Sequence, residues 1–191
     1  MKVLKFIVRF VYRILFNIKI EGAENIPADG VVIAPNHISN FDPPLLVGFV
    51  KEPLRIMAKA ELFSTKITAW FFNAVGAFPV NRGDADITAI KTALRVLKND
   101  EKLLIFPHGT RIAPNTDEPI KEGAVLIAIK AKKNIVPAYI SGTYGFRHKI
   151  VLTFGKPFDL SPYYTARLSP EDLKNITDRV WESMKALKKD I

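Results

Sequence analysis

Short apolar runs and longer helical patterns alternate along the chain after residue 30. Six apolar runs predict β-strands, which lie at 31–35, 54–57, 77–80, 102–106, 135–139 and 150–154. Apolar residues at helical spacing predict five helices, which lie at 43–50, 66–75, 85–98, 121–132 and 170–189. Asp84 is the expected cap of the third of these helices. The alternation is typical of an α/β domain with a mostly parallel or mixed sheet, covered by helices on both faces.

The N-terminal segment has a different pattern. Residues 2–16 fit one helix in which apolar residues, several of them aromatic, surround a narrow basic stripe formed by Lys2, Lys5, Arg9 and Arg13. This pattern is typical of an amphipathic helix at a membrane surface, and the alternative is an N-terminal helix packed on the body of the protein. We therefore expect a membrane-surface helix in residues 1–20 and a single α/β domain in residues 21–191.

Composition narrows the classes of partner and cofactor. The 191 residues suit one domain, and the lack of cysteine excludes disulfides, thiolate metal sites and a cysteine nucleophile. The formal net charge of +9 suits an anionic partner such as nucleic acid, a phospholipid surface or a phosphorylated substrate. No nucleic-acid-binding motif is present, so we expect no nucleic-acid partner. The longest uncharged run, residues 67–81, is shorter than the ~20 residues of a membrane-spanning helix.

Residues 36–42 (Asn-His-Ile-Ser-Asn-Phe-Asp) follow the first buried strand and contain an imidazole and a carboxylate. On an unbroken helix His37 and Asp42 would point roughly 140° apart, so they can meet only if the backbone turns between them. Asn40 and the two prolines after Asp42 favour such a turn. A carboxylate bound to one imidazole nitrogen leaves the other nitrogen to act as a base. The alternative is that Asp42 caps a helix and His37 is an ordinary loop residue.

Residues 106–111 (Phe-Pro-His-Gly-Thr-Arg) follow the fourth predicted strand. Backbone N–H groups, the Thr110 hydroxyl and the Arg111 guanidinium could bind a phosphate there, and the alternative is a tight turn with a surface arginine. Lys59 and Arg82, which follow two other strands, add positive charge. In a doubly wound sheet the ends of these strands share one edge, where ligands bind.

Together these segments resemble the sequence blocks of the lysophosphatidic acid acyltransferase (1-acylglycerol-3-phosphate acyltransferase) family. The family's Asn-His-(x)4-Asp block matches residues 36–42, and its Val-Pro block matches residues 136–137. Its Phe-Pro-Glu-Gly-Thr-Arg block matches residues 106–111 except at His108, where the family has glutamate. Further matches to the family are Lys59, Glu61, Leu62, Gly76, Arg82, Lys121, Gly123 and Ala124. The blocks occur in the family's order over residues 31–142.

The resemblance implies a reaction and a role for each matching residue. A fatty acyl group would move from a thioester donor, acyl-CoA or acyl-acyl carrier protein, to the sn-2 hydroxyl of 1-acylglycerol-3-phosphate, giving phosphatidic acid. His37 would be the general base, and Asp42 would orient it. The acceptor would be bound by Lys59, Arg82, His108, Gly109, Thr110 and Arg111.

The resemblance also implies partners, a location and alternatives. No metal or redox cofactor is implied, and the protein would lie at the cytoplasmic face of the cell membrane, bound to the phospholipid surface. The alternatives are an acyltransferase for another lysolipid, a lipid hydrolase or thioesterase with the same dyad, and a non-catalytic peripheral lipid-binding protein.

Overall fold

The computed structural model of the chain describes residues 2–81, 86–113 and 116–191. Within these residues the strands are β1 (Asn17–Glu21), β2 (Val31–Pro35), β3 (Leu54–Lys59), β4 (Ala77–Val80), β5 (Lys102–Leu104), β6 (Ile135–Gly142) and β7 (Lys149–Phe154). The helices are α1 (Lys2–Leu15), α2 (Asp42–Phe49), α3 (Lys66–Ala74), α4 (Ile87–Lys98), α5 (Gly123–Ala131) and α6 (Pro170–Lys185). A 3-10 turn over Ala60–Phe63 links β3 to α3.

The described strands form one mixed sheet in the order β1–β7–β6–β2–β5–β3–β4. Strands β2 to β6 are parallel wherever they are neighbours, β7 is antiparallel to β6, and β1 is parallel to β7. The C-terminal ends of β2 to β6 therefore lie at one edge of the sheet, which we call the carboxyl edge. The expected α/β fold with a mostly parallel or mixed sheet is confirmed.

Helices cover both faces of the sheet. One face carries α1, α2 and α3, here called the front layer, whose buried side chains include Tyr12, Phe16, Leu45 and Leu46. The opposite face carries α4, α5 and α6, here called the back layer, whose buried side chains include Ala93, Val125, Val180 and Trp181. The two apolar clusters enclose the sheet, as parallel strands buried on both faces require.

One strand was not predicted from the sequence. Residues 17–21 form β1, an edge strand in parallel register with β7, and α1 ends just before it at Leu15. The boundary expected at residue 20 therefore falls inside a strand of the sheet. The cap of α4 is Asp86, whose carboxylate accepts the N–H of Ala89, whereas Asp84 lies outside the described residues.

The N-terminal helix packs on α2 through part of its basic stripe. The Lys5 ammonium donates to the carbonyls of Val50, Lys51 and Glu52 at 2.8–3.0 Å, and the Arg9 guanidinium donates to Gly48. Carbonyls in the last turn of a helix lack intrahelical donors and carry partial negative charge, so Arg9 satisfies that of Gly48, while Lys5 binds the three carbonyls that directly follow α2. Burial, followed by the charge of Arg9, lowers the pKa of Lys5.

The opposite face of α1 is apolar and turned outward. Its exposed side chains are Val3, Phe6, Ile7, Phe10, Val11 and Ile14. Within the residues that the structure describes, no helix combines the length and apolar character that crossing a bilayer demands. The helix thus both packs on the body of the protein and presents an apolar surface.

Candidate active site

The histidine and aspartate of the first motif meet at the carboxyl edge, just beyond β2. Asn36 fixes the end of the strand by exchanging two hydrogen bonds with the backbone of Ile140, at 2.7 and 3.0 Å. The chain then turns, with the Asp42 N–H donating to the Ser39 carbonyl at 3.1 Å. This turn brings His37 Nδ1 to 2.8 Å from Asp42 Oδ2, so the expected reversal of the backbone between them is present.

The carboxylate of Asp42 is fully buried and accepts four hydrogen bonds. Oδ2 receives the backbone N–H groups of Ile38 and Ser39, each at 2.7 Å, in addition to His37. Oδ1 receives the hydroxyl of Tyr144 at 2.8 Å. Asp42 therefore binds the loop that precedes α2 rather than capping the helix, and the four donors compensate for removing a carboxylate from water.

His37 is held in a defined orientation. Its ring stacks on Phe106, with 4.1 Å between the centroids and 26° between the planes. With Nδ1–H donating to Asp42, Nε2 carries the lone pair and is the nitrogen able to take a proton. The stacking also places residues 106–111 directly against residues 36–42.

Aromatic residues from α1 and from the segment after β6 support the dyad. The rings of Phe16, Phe41 and Tyr144 pack at centroid distances of 5.2–5.6 Å. The Tyr12 hydroxyl donates to the Phe41 carbonyl at 2.9 Å. Burial, together with the charge of Asp42, raises the pKa of the Tyr12 and Tyr144 hydroxyls, so both remain protonated donors. Tyr144 was not predicted from the sequence, because it lies five residues beyond the predicted strand 135–139 and outside the matched blocks.

The segment 106–111 forms a turn beside the dyad. A backbone hydrogen bond ties this turn to the dyad, because the Ile112 N–H donates to the His37 carbonyl at 2.8 Å. Gly109 has a φ of +74°, a left-handed conformation that favours glycine, and a side chain there would meet the Lys121 ammonium. Lys121 therefore adds a basic group beside the turn. It matches the family's sequence, but the resemblance assigns it no role.

Of the six residues predicted to bind the acceptor, those that the structure describes are spread over more than one element. Thr110 and Arg111 are exposed within the turn. Lys59 lies at the same edge of the sheet, where its ammonium pairs with the Glu61 carboxylate at 2.9 Å. Lys59 ends β3, two strands away from β2. Arg82 lies outside the described residues.

His108 is buried at 3% exposure and faces the back layer. Its Nε2 lies 3.1 Å from the Glu118 carbonyl, and its ring meets the Trp181 ring edge to face at 5.0 Å. Nδ1 is buried without a hydrogen-bond partner among the described residues. Burial lowers the pKa of His108, which favours the neutral imidazole. Its expected role in acceptor binding stays a prediction.

These features define a class of protein: an α/β fold with a hydrogen-bonded His–Asp pair at the carboxyl edge of its sheet. A family model described as Acyltransferase matches residues 17–141. The chain belongs to the acyltransferase family, which confirms the resemblance that the sequence blocks indicate.

Two curated relatives and one solved structure are similar to this chain. It is 36% identical over 178 residues to the 1-acyl-sn-glycerol-3-phosphate acyltransferase of Bacillus subtilis (strain 168), with 89% of this chain and 87% of that protein covered. It is 32% identical over 158 residues to the protein of the same name from Streptococcus pneumoniae, with 78% and 57% covered. The crystal structure of the 1-acyl-sn-glycerophosphate acyltransferase of Thermotoga maritima aligns with a TM-score of 0.76 and 24% identity, covering 97% of this chain and 77% of that one. The last comparison shows that the fold is shared.

Proposed function

We propose that the protein is a 1-acylglycerol-3-phosphate O-acyltransferase that makes phosphatidic acid for phospholipid biosynthesis. The observation that carries this proposal is the 2.8 Å contact between His37 Nδ1 and buried Asp42, formed inside the family's first sequence block. The names of the two curated relatives support the choice of acceptor. The donor is a fatty acyl thioester of coenzyme A or acyl carrier protein.

The proposed mechanism uses the acceptor alcohol as the nucleophile. His37 Nε2 takes the proton of the sn-2 hydroxyl as its oxygen attacks the thioester carbonyl. The tetrahedral intermediate collapses, the carbon–sulfur bond breaks, and the leaving thiolate receives the proton from the imidazolium. Asp42 keeps Nδ1–H in place and stabilises the imidazolium while it exists. This route forms no acyl-enzyme and needs neither a metal nor a redox cofactor, because only a proton and an acyl group move.

The acceptor's phosphate would bind at the carboxyl edge next to the dyad. Arg111 and the backbone of residues 109–110 lie in the turn that hydrogen-bonding ties to His37. A guanidinium can bind phosphate through two parallel hydrogen bonds. Lys59, Arg82 and His108 complete the set that the resemblance assigns to acceptor binding.

The protein would work as a peripheral protein at the cytoplasmic face of the cell membrane, where its lysophosphatidate acceptor and its phosphatidic acid product partition. The outward face of α1, with Phe6 and Phe10 at its centre, supports this location. Because Lys5 and Arg9 are engaged with backbone carbonyls at and just after the end of α2, apolar burial would contribute most of the binding energy. Salt should therefore weaken vesicle binding only in part.

The test of this function is product analysis by mass spectrometry. Wild-type protein is incubated with acyl-CoA or acyl-acyl carrier protein and, separately, with lysophosphatidate, lysophosphatidylcholine and lysophosphatidylglycerol. We expect phosphatidic acid in the first case and little product with the bulkier headgroups. Free fatty acid released regardless of acceptor would instead indicate a hydrolase. Acylation of another lysolipid would show that the enzyme is an acyltransferase with a different acceptor. No turnover would favour a lipid-binding protein.

A further inference from the structure

Helix α3 exposes apolar side chains on one side along its length. Ile67 is 80% exposed and Trp70 is 72% exposed, and Phe71 and Leu62 are also exposed. These four residues are named the α3 patch. The helix is anchored from its other side, where Phe72 packs against Phe63 with 5.5 Å between ring centroids. The patch is therefore a cluster of exposed apolar side chains on α3 and the turn before it, larger than the scattered single apolar residues normal for a protein surface.

The α3 patch lies in the same layer as the apolar face of α1. Phe72 packs against the apolar cluster of the front layer, which also contains Tyr12 of α1 and Phe16 just after it. Among the described residues of the three back-layer helices, one large apolar side chain is strongly exposed, Ile87 at 64%. Exposed apolar helix surface is thus concentrated on one side of the sheet, with α1 and α3 both contributing.

The charge around the α3 patch favours an anionic surface. Residues 54–81 contain three basic residues, Arg55, Lys59 and Lys66, and one acidic residue, Glu61. Arg55 pairs with Glu101 at 3.7 Å and Lys59 pairs with Glu61 at 2.9 Å, so Lys66 supplies the positive charge beside the patch. Lys66 begins α3 and is exposed beside Ile67. The N-terminus of a helix also carries partial positive charge. Phospholipid headgroups of net negative charge fit this combination, and an exposed tryptophan is typical of a residue at the level of lipid headgroups.

The position of the α3 patch connects it with the site. Residues 60–63 leave the carboxyl edge directly after β3 and lead into α3, so the patch begins at the edge where the dyad lies. Four partly exposed side chains offer on the order of 500 Å² of apolar surface, below the ~800 Å² per partner of a stable protein interface. A bilayer needs no matching partner surface, so it is the occupant that this small, basic-flanked patch fits.

We propose that the α3 patch is a second membrane contact, which enters an anionic phospholipid surface beside α1. This inference rests on the proposed membrane location. Two contacts on the front layer would hold the carboxyl edge in one orientation to the bilayer that contains the lysophosphatidate acceptor. With α1 alone, the protein could rotate about the helix axis.

The two tryptophans of the chain provide a direct test. Trp70 lies in the patch, whereas Trp181 is buried at 4% exposure in the back layer and serves as an internal reference. The full chain is mixed with vesicles of equal parts phosphatidylcholine and phosphatidylglycerol, with or without bromine on the acyl chains. We expect a blue shift and quenching of the emission by brominated lipid, and loss of both effects in Trp70→Phe.

Vesicle co-sedimentation then tests the contribution of the patch to binding. The double variant Ile67→Ser/Phe71→Ser should bind the same vesicles at least roughly tenfold more weakly than wild type. The control, Ile87→Ser, removes one exposed apolar side chain, intermediate in exposure between Ile67 and Phe71, from the back layer and should bind as wild type. All substituted side chains are exposed, and thermal unfolding checks that each variant is folded.

The outcomes separate this inference from the proposed location. If wild type binds vesicles but Trp70 is not quenched, and the double variant binds as wild type, the inference is wrong and the α1 contact stands. If wild type binds no vesicles, the membrane location fails as well. If the double variant instead dissociates an oligomer, or raises the KM for a soluble acyl donor without vesicles, the patch binds protein or substrate and the inference is overturned.

Discussion

Replacing Tyr144 with phenylalanine removes one hydrogen bond from Asp42 and leaves the packing around it intact. The hydroxyl donates to Asp42 Oδ1 at 2.8 Å, whereas the ring packs on Phe16 and Phe41 with centroids 5.2 and 5.4 Å away. Phenylalanine keeps the ring contacts. The variant therefore tests what one donated hydrogen bond does for the dyad.

The expected magnitude follows from the burial of the carboxylate. A hydrogen bond to a charged group is worth about 1.5–3 kcal/mol, and Asp42 is fully buried, so the free energy of unfolding should fall by about that amount. The carboxylate keeps three of its four donors, but its charge is less dispersed and stabilises a protonated His37 more strongly. The acid side of the kcat/KM profile should therefore move to higher pH by about half to one unit, which corresponds to about 0.7–1.4 kcal/mol.

The assay is the pH dependence of kcat/KM for acyl transfer, measured for wild type, Tyr144→Phe and Tyr12→Phe. Tyr12→Phe is the matched control, because its buried hydroxyl donates to the uncharged carbonyl of Phe41 at 2.9 Å. It should lose stability by about 1 kcal/mol without moving the profile. Coincident profiles for all three proteins would refute the coupling between Tyr144 and the base. Equal shifts in both variants would show an effect of packing rather than of the hydrogen bond to Asp42.

Three further substitutions test separate parts of the site and its support. Asp42→Asn retains an acceptor for the loop N–H groups but not the charge, so steady-state turnover should fall by ~10²–10⁴ while circular dichroism shows a folded protein. Lys5→Met leaves the carbonyls of residues 50–52 without their donor, and the urea midpoint should fall by the equivalent of about 1–3 kcal/mol. For His108, burial puts the folded pKa below the unfolded value, so the unfolded chain binds more protons and stability falls as pH drops through about 6.5. His108→Gln should remove part of that pH dependence, measured as the difference in unfolding free energy between pH 7.5 and 5.5.

Periodicity and local motifs were sufficient to predict much of the fold and the location of the dyad. The strands buried on both faces are continuous apolar runs, and the turn between His37 and Asp42 is encoded in neighbouring residues. Strand β1 was missed because residues 17–21 form a half-exposed edge strand. Its partner β7 lies more than a hundred residues away, so only the tertiary fold reveals the pairing.

The remaining features depend on contacts between distant parts of the chain. The basic stripe of α1 predicts a helix with two unlike faces but not that Lys5 turns inward, since its partners just after α2 are 45–47 residues away. His108 lies in a loop that suggests ligand contact, yet Trp181 of α6 covers it. Tyr144 reaches Asp42 across 102 residues of sequence.

The central claim is that His37, held by Asp42, is the base in acyl transfer to lysophosphatidate. The most direct measurement is the rate of phosphatidic acid formation by wild type and His37→Ala, with saturating thioester donor and lysophosphatidate and with product identified by mass spectrometry. The account predicts that wild type forms phosphatidic acid and that His37→Ala forms it ~10²–10⁴ times more slowly while its thermal unfolding stays close to that of wild type. Phosphatidic acid formation by His37→Ala at a rate near that of wild type would contradict the claim.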